Sequence, residues 1–271
     1  MTPDAKKVFW SIVDCGISEH GKRLAHPAEF SPCSKVIDSQ QAKNPGGFHI
    51  PEPWNGDIST SRILFLSINP GITPRELYPR SGNDYWMDGR GWNTDRVEQF
   101  FEGRFDRTLP YVKYRDGGHA FKIKMESDDP DKGVVGFWPY VFKMANTLIP
   151  GADPLKDFAL TELVHCKSED SSYVNNTCYK QCMDKYLQDI FSLAEKAEYV
   201  VFIGRPVREN IIGHYGFHSP VKQRWYRTRR LNGRELLVTF VDHNNAFADE
   251  SGFRAYGVLP VPQDRTTLEE I

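Results

Sequence analysis

Four short apolar segments of this chain predict buried β-strands, at 62–68, 158–165, 198–203 and 235–241. Continuous apolar runs of this length are typical of strands that are covered on both faces. Apolar residues at helical spacing lie between them and predict helices at 136–148, 178–194 and 206–214. Because strands alternate with helices, we expect an α/β fold with three α/β/α layers around a central, mostly parallel, four-stranded sheet.

The remaining segments are less regular. Residues 1–60 predict one helix, around the apolar stretch Val8 to Val13, followed by a long extended cover. Residues 72–133 are rich in Gly, Asp and Arg, and they predict an insertion around a cleft, with a short helix near Val97 to Phe101. A loop region of that length is uncommon unless it has a function. We expect residues 1–271 to form a single domain.

Composition restricts the classes of protein to consider. Apolar residues make up 39% of the 271 residues and aromatic residues 13%, which suffices for a hydrophobic core. The mean hydropathy of −0.53 and the lack of a long apolar run exclude a membrane protein. The first residues carry no signal-peptide pattern, so we expect a cytoplasmic protein, and a monomer. The net charge of −2 gives no overall basic field, so any nucleic-acid binding must use a local surface.

The first strand ends in a turn that places one amide side chain. In the run ILFLSINPG at 63–71, Asn69 directly follows the apolar residues, and Pro70 and Gly71 form the turn. Ligands of open parallel sheets bind outside the carboxyl ends of the strands. An ordinary turn, in which Asn, Pro and Gly are common, is the alternative interpretation. Polar residues also follow two other strands, in FALTELVHC at 158–166 and LLVTFVDHNNAF at 236–247.

These three strand ends resemble the motifs of the uracil-DNA glycosylase superfamily. INPG at 68–71 resembles its first motif in the mismatch-specific form, and VDHNNAF at 241–247 lies where the second motif, normally His-Pro-Ser, is expected. TELVHC at 161–166 resembles the base-reading strand, whose usual form is Thr-Asn-Val-Val-Lys-Cys. The resemblance runs from about Ile63 to Tyr256. It implies a uracil-DNA glycosylase-like fold and a DNA glycosylase, a hydrolase that flips a base and cleaves its N-glycosidic bond.

The resemblance also implies roles for individual residues. Asn69 would position the attacking water, and His243 would donate a hydrogen bond to the pyrimidine O2 as charge builds there. A polar loop residue without a role in the chemistry is the alternative for His243. The base pocket would be completed by Ile68, Pro70, Gly71 and Asn244, and by the aromatic pair Tyr85 and Trp86, which we favour over Tyr78 and Trp92 as the stacking partners.

Two departures from the superfamily pattern affect the expected substrate. His243 is followed by Asn244 instead of proline, and Glu162 replaces the expected asparagine. A carboxylate accepts hydrogen bonds, and the exocyclic amine of cytosine donates them. We therefore expect a modified cytosine, because removal of ordinary cytosine would destroy the genome. A phage-defence branch of the superfamily removes glucosylated hydroxymethylcytosine. The alternative is that Glu162 forms an ion pair with a nearby Arg or Lys.

DNA binding requires local positive charge. The stretch RWYRTRR at 224–230 interleaves arginines with two aromatic residues and predicts a surface for phosphate or single-stranded DNA. The candidate side chains are Arg224, Arg227, Arg229 and Arg230. A solvated hairpin is the alternative.

The five cysteines suggest a cofactor. Cys166 and Cys182 match the second cysteine pair of the superfamily's iron–sulfur branch, but the first pair of that branch, a C-x-x-C motif, is absent. Cys15 and Cys33 lie in the corresponding N-terminal region, and the four thiols would hold a structural [4Fe–4S] cluster that the chemistry itself does not require. Free reduced thiols are the alternative, and Cys178, one turn before Cys182, is a spare cysteine.

The leading interpretation is thus a DNA glycosylase for a non-standard pyrimidine, with a role in antiviral defence. A uracil-DNA glycosylase of base-excision repair, a hydrolase of free nucleosides or nucleotides, and a DNA-binding homologue without strong activity are the alternatives. The last is considered because Asn69 cannot accept a proton and because His243 lacks the following Pro-Ser.

Overall fold

The structure is a computed structural model of the chain. It describes residues 1–26, 31–43, 48–72, 78–81, 93–106, 112–114, 121–123, 137–218, 220–222, 224–243 and 258–271. The helices within these ranges are α1 (Pro3–Ala25), α2 (Ser34–Lys43), α3 (Thr94–Glu102), α4 (Phe137–Leu148), α5 (Asn176–Cys182), α6 (Gln188–Leu193) and α7 (Arg205–Tyr215). A π-helical segment, Met183–Leu187, joins α5 to α6, and short 3-10 turns lie at Ser171–Tyr173 and Arg265–Thr267.

The strands within the same ranges are β1 (Phe48–His49), β2 (Trp54–Asn55), β3 (Ile63–Ser67), β4 (Arg80–Ser81), β5 (Val112–Tyr114), β6 (Phe121–Ile123), β7 (Phe158–Glu162), β8 (Tyr199–Ile203), β9 (Trp225–Thr228) and β10 (Leu236–Val241). The main sheet of the described residues contains six of them, in the order β2-β7-β3-β8-β10-β9. β1 pairs with β4, and β5 pairs with β6, in two separate antiparallel ladders.

The sheet is mixed. β3 pairs in parallel with β7 and with β8, and β8 pairs in parallel with β10. β2 and β9 run antiparallel at the two edges. The prediction of an α/β fold is confirmed, but the predicted number of four strands was too small for this sheet. Two-residue β2 is too short to leave an apolar pattern, and β9 lies within the arginine-rich stretch 224–230, which has the composition of an exposed hairpin.

Most predicted elements are present with small shifts at their ends. Each inner strand is buried along its whole length, as its continuous apolar run predicted. Helix α1 begins at a Thr2 cap with Pro3 in its first turn, and it packs Phe9, Ile12 and Val13 into the core. The extended cover predicted to follow the first helix is wrong over 34–43, because α2 lies there.

No helix in the described ranges is both long enough and apolar enough to cross a membrane.

Candidate functional site

The predicted motif residues lie together at one end of the sheet, where the parallel strands have their carboxyl ends. Ser67 at the end of β3 pairs with Glu162 at the end of β7. Beyond these ends the two chains stay together, because Leu163 N donates to Ser67 O (2.9 Å) and Val164 N donates to Ile68 O (3.0 Å). Ser168 N then donates to Pro70 O (3.1 Å). The segment 163–168 therefore lies directly beside the turn that carries Asn69.

Asn69 has a fixed amide orientation. Its Nδ2 donates to Ser168 Oγ (2.6 Å) and to Pro70 O (3.3 Å). Ser168 Oγ in turn donates to Asp170 O (2.7 Å), so this hydroxyl is an acceptor toward Asn69. Within the described residues, Asn69 Oδ1 accepts no hydrogen bond. This half-buried oxygen is the group that could accept a hydrogen bond from a water molecule.

Ser168 is a site residue that the sequence analysis missed. It is buried, and its backbone holds the turn as well: Ile72 N donates to Ser168 O (2.9 Å), and Gly71 and Ser168 form a parallel bridge. A serine in a polar stretch after a strand carries no local signal. Only the pairing of the two loops reveals that it positions the Asn69 amide.

His243 follows the end of β10. Its ring stacks on Phe137, the first residue of α4, with ring centroids 5.3 Å apart and planes 13° apart. Tyr140 Oη donates to Asp242 O (2.9 Å), which fixes the backbone just before His243. Burial lowers the pKa of His243 below its ordinary value. At neutral pH the imidazole is therefore neutral, with one N–H to donate.

Gly204, at the end of β8, lies between Ile68 and His243. A Cβ built on it would lie 3.3 Å from Ile68 Cδ1 and 3.8 Å from His243 Cβ. Gly204 also has a φ of 100°, a conformation that glycine adopts without strain. Both residues thus approach this backbone closely. Because β8 separates β3 from β10, Asn69 and His243 start from strands about 10 Å apart at ordinary strand spacing.

Glu162 is a buried carboxyl group. Its side chain is 4% exposed, and among the described residues its Oε2 accepts no hydrogen bond. Burial, with a smaller contribution from Glu52, raises the pKa of Glu162 well above its ordinary value, while Ser67 and Lys167 act in the opposite direction. Burial therefore favours the neutral carboxylic acid, which has one donor and one acceptor oxygen.

The alternative ion pair of Glu162 is not found in the described part of the chain. Lys167 Nζ lies 3.4 Å from Glu52 Oε2 instead, and both side chains are at most 5% exposed. Glu52 also accepts a hydrogen bond from Asn55 Nδ2. Lys167 Nζ lies 4.0 Å from the centre of the Tyr78 ring. The sequence analysis missed this buried polar group, because Glu52 and Asn55 lie far from Lys167 along the chain.

The other predicted pocket residues divide into two groups. Ile68, Pro70 and Gly71 lie on the turn described above. Tyr85, Trp86 and Asn244 lie outside the described residues. Tyr78 is buried by other aromatic side chains, and its hydroxyl donates to Ile50 O (3.1 Å), so it is a packing residue.

The predicted DNA-binding arginines do not all lie at the same end of the sheet. The register pairs Trp225 with Thr239 and Thr228 with Leu236. Exposed Arg224 therefore lies toward the carboxyl ends of the parallel strands, whereas Arg229 and Arg230 lie toward their amino ends. Arg230 Nη1 donates to Tyr215 O (3.0 Å) and Gly216 O (2.9 Å) at the end of α7.

The remaining side chains of this stretch have structural contacts too. Arg227 Nε donates to Leu268 O (3.1 Å) and so holds the C-terminal segment. Arg229 Nη2 lies 3.6 Å from Glu235 Oε2. A single surface made of all four arginines is not what this geometry supports, and Arg224 is the one that lies near the candidate site.

The four cysteines of the predicted cluster surround one cavity. Cys15 comes from α1, Cys33 from the turn before α2, Cys166 from the segment after β7, and Cys182 from the end of α5. His165, Tyr186 and Pro51 also line this cavity. Burial, and then the neighbouring Cys33, Cys182 and Cys15, raise the pKa of Cys166. Burial therefore favours the neutral Cys166 thiol over its thiolate.

The donor set consists of four thiols, the ligand type of an iron–sulfur cluster. No group of three or more His, Cys, Asp or Glu side chains in the described ranges is arranged to hold one metal ion. A four-iron cluster requires four thiolates that are spread around it, which is the composition of this cavity. Gly16 keeps the wall close: a Cβ on it would lie 2.1 Å from Pro51 Cγ and 3.3 Å from Cys166 Sγ.

Comparison of the chain with protein-family models and with curated proteins found no match.

Proposed function

We propose that this protein is a DNA glycosylase of the uracil-DNA glycosylase type, which hydrolyses the N-glycosidic bond of a flipped non-standard pyrimidine. The observation that carries the proposal is the buried Glu162 carboxyl, whose Oε2 accepts no hydrogen bond within the described residues, at the same end of the sheet as the oriented Asn69 amide. The inner strands follow the order 158–162, 63–67, 199–203, 236–241, so that the first motif is flanked by the base-reading strand.

Asn69 positions the attacking water. Its Oδ1 accepts a hydrogen bond from the water, and Ser168 holds the amide so that this oxygen cannot exchange places with the nitrogen without losing the 2.6 Å hydrogen bond. An amide does not take up the proton that the water releases. The leaving base must therefore accept negative charge readily, which favours an electron-poor or well-stabilised base.

His243 stabilises the departing base. Because the buried imidazole is neutral, it donates one N–H to the pyrimidine O2, where negative charge develops. Stacking on Phe137 fixes the plane of the ring. This arrangement supplies electrostatic stabilisation to the transition state without transferring a proton.

Glu162 reads the edge of the base. As a neutral acid, it accepts from the cytosine N4 amine through its carbonyl oxygen and donates its O–H to N3. The same acid is complementary to uracil, because N3–H donates to the carbonyl and O4 accepts from the O–H. As a carboxylate it keeps one bond to either base, because it accepts from the cytosine N4 amine or from uracil N3–H. A cytosine derivative is thus accepted in both protonation states, and we propose it as the substrate class. Uracil is the alternative.

The four cavity thiols of Cys15, Cys33, Cys166 and Cys182 would hold a [4Fe–4S] cluster. When bound, this group supplies cross-linking and no step of the hydrolysis. The residues themselves join α1 and the start of α2 to the segment that continues from Glu162 toward Ser168. The proposed cluster would therefore hold the base-reading segment in place.

DNA would approach the end of the sheet where the parallel strands have their carboxyl ends. Exposed Arg224 lies toward this end, and Lys222 pairs with Asp242 (2.6 Å) next to His243. In phage DNA the bulky base would be glucosylated hydroxymethylcytosine, as the resemblance to the phage-defence branch of the superfamily implies. We expect a cytoplasmic enzyme that acts in antiviral defence, with base-excision repair as the role if uracil is the substrate.

A base-release panel tests the proposal. Duplex and single-stranded oligonucleotides carry uracil, hypoxanthine, cytosine, hydroxymethylcytosine or its glucosylated form, and abasic sites are scored by alkaline strand breakage. We expect release of a modified cytosine and no release of cytosine. Asn69→Ala serves as the inactive control for contaminating glycosylases. Release of no base from any substrate, by protein that binds DNA, would contradict the enzymatic proposal.

A further inference from the structure

We propose that Cys178, the fifth cysteine, is not a ligand of the proposed cluster but donates an S–H hydrogen bond to the ligand sulfur of Cys33. The inference rests on the cluster proposed above. It assigns a positioning role to a residue that neither the base-release chemistry nor the four-thiol cavity uses.

The geometry separates Cys178 from the four ligands. Cys33, Cys15, Cys166 and Cys182 line the cavity, whereas Cys178 does not. Its side chain is 0% exposed, and its Sγ lies 3.6 Å from Cys33 Sγ. This distance is in the range of a hydrogen bond between sulfurs and too long for a disulfide. Cys178 therefore contacts the far side of a ligand sulfur, away from the space that the cluster would fill.

One asparagine holds the two cysteines together. Asn175 Oδ1 accepts from Cys178 N (2.9 Å) at the start of α5, and Asn175 Nδ2 donates to Pro32 O (3.4 Å) next to Cys33. The two cysteine-bearing segments are thus tied on the same side by backbone contacts. The approach of the two sulfurs is a consequence of this arrangement, and among the described residues the Cys178 sulfur has ligand sulfurs as its partners, Cys33 and, one helical turn away, Cys182.

The direction of the hydrogen bond follows from the chemistry. A ligand sulfur is a thiolate and can only accept, whereas a thiol outside the ligand set keeps its hydrogen and can donate. Hydrogen bonds to the sulfurs stabilise the negative charge of the cluster, and reduction adds a further negative charge. The Cys178 hydrogen bond should therefore stabilise the reduced state and raise the reduction potential.

The test compares three variants of the full-length protein, purified without oxygen. Cys178→Ala removes the donor, Cys178→Ser keeps a donor of similar size, and Thr177→Ala changes an exposed neighbour on the same helix. Iron content, the visible absorption spectrum and the reduction potential are measured. We expect all three variants to retain wild-type iron, Cys178→Ala to have a lower potential, and Cys178→Ser and Thr177→Ala to remain near the wild type.

The outcomes separate this inference from the proposals beneath it. Loss of iron from Cys178→Ala, with retention in Cys33→Ala, would make Cys178 a ligand and overturn the inference. An unchanged potential in iron-loaded Cys178→Ala would overturn it as well while leaving the cluster intact. Wild-type protein that folds without iron would overturn both the cluster and this role. The base-release panel decides the glycosylase activity separately.

Discussion

The site at the carboxyl ends of the strands, formed by Glu162 and Asn69 and here called the base-reading edge, and the cavity lined by the four thiols share the segment 162–168. The two are assembled in different ways. Glu162 and Asn69 lie at the same end of the sheet because two adjacent parallel strands end in register and their loops continue side by side. The four cavity cysteines come together because α1 and the turn that contains Cys33 dock against the region around 166–182. Cys166 lies four residues after Glu162, so a disturbance of one region should reach the other. The contrast indicates which variants affect both regions and which affect only one.

The largest effect on folding is expected at Lys167, which lies between the two regions. Lys167→Met leaves Glu52 as a buried, uncompensated charge, and the loss of one partner of a buried pair destabilises by about 3–5 kcal/mol. The destabilisation is measured as the decrease in the free energy of unfolding, obtained from urea denaturation. The double variant Glu52→Gln/Lys167→Met should recover much of the loss. Equal destabilisation of the single and double variants would show that the charge pair is not the cause.

Asn69→Ala should affect only the base-reading edge. Loss of a positioned polar group lowers the rate by about 10²–10³. Single-turnover base release measures this, and the folding free energy and the iron content should stay near those of the wild type. Ser168→Ala is the matched variant: it frees the amide without removing it, so its loss of rate should be smaller. Activity of Asn69→Ala within a few-fold of the wild type would reject the catalytic assignment.

Glu162 variants separate the two substrate classes. Glu162→Asn should shift the preference toward uracil by about 1–3 kcal/mol, the discrimination of one good base contact. Glu162→Gln keeps the shape, one donor and one acceptor, and should weaken release of cytosine derivatives because a neutral amide cannot form the charge-assisted bond with the N4 amine that a carboxylate forms. The ratio of single-turnover rates on the two bases measures both effects. A ratio that neither variant changes would make Glu162 a structural residue.

The raised pKa of Glu162 predicts that the rate of base release depends on pH. The pKa of Glu162 is raised, so the acid stays neutral at low pH and loses its proton only as the pH rises through the raised value. Release of either base loses the O–H donor over that window, for uracil O4 or for cytosine N3, so both rates should fall. Rates measured on both substrates across the pH range test this. Glu162→Gln does not titrate and should abolish the fall; a flat profile in the wild type would contradict the assignment.

The smallest effect is expected at the arginines. Arg224→Ala should reduce the slope of log affinity against log salt concentration by about one, the contribution of a single phosphate contact. Arg230→Ala should leave that slope unchanged and instead lower stability, since Arg230 binds the end of α7. DNA binding measured at several salt concentrations checks both variants. Equal slopes for the two variants would remove Arg224 from the DNA surface.

The strand ends were predictable because their signal is local. A buried apolar run followed by Asn69-Pro70-Gly71 defines both a strand and the turn that ends it, and the parallel order of β7, β3 and β8 then brings Glu162 beside that turn. The roles of Ser168 and Phe137 were not predictable in this way. Each acts through one contact with a residue more than 90 positions away, and neither side chain type indicates such a contact.

Local pattern alone therefore determined the α/β class, the inner strands, most helices and the position of the candidate polar groups. The tertiary structure raised the pKa of Glu162, because burial is a property of the packed sheet and not of the residue. It also divided the arginines between the two ends of the sheet, since the register of β9 against β10 places Arg224 and Arg230 at opposite ends of β9. Finally, it gathered cysteines from four separate segments around one cavity, because helix docking brings together residues that no spacing along the chain connects.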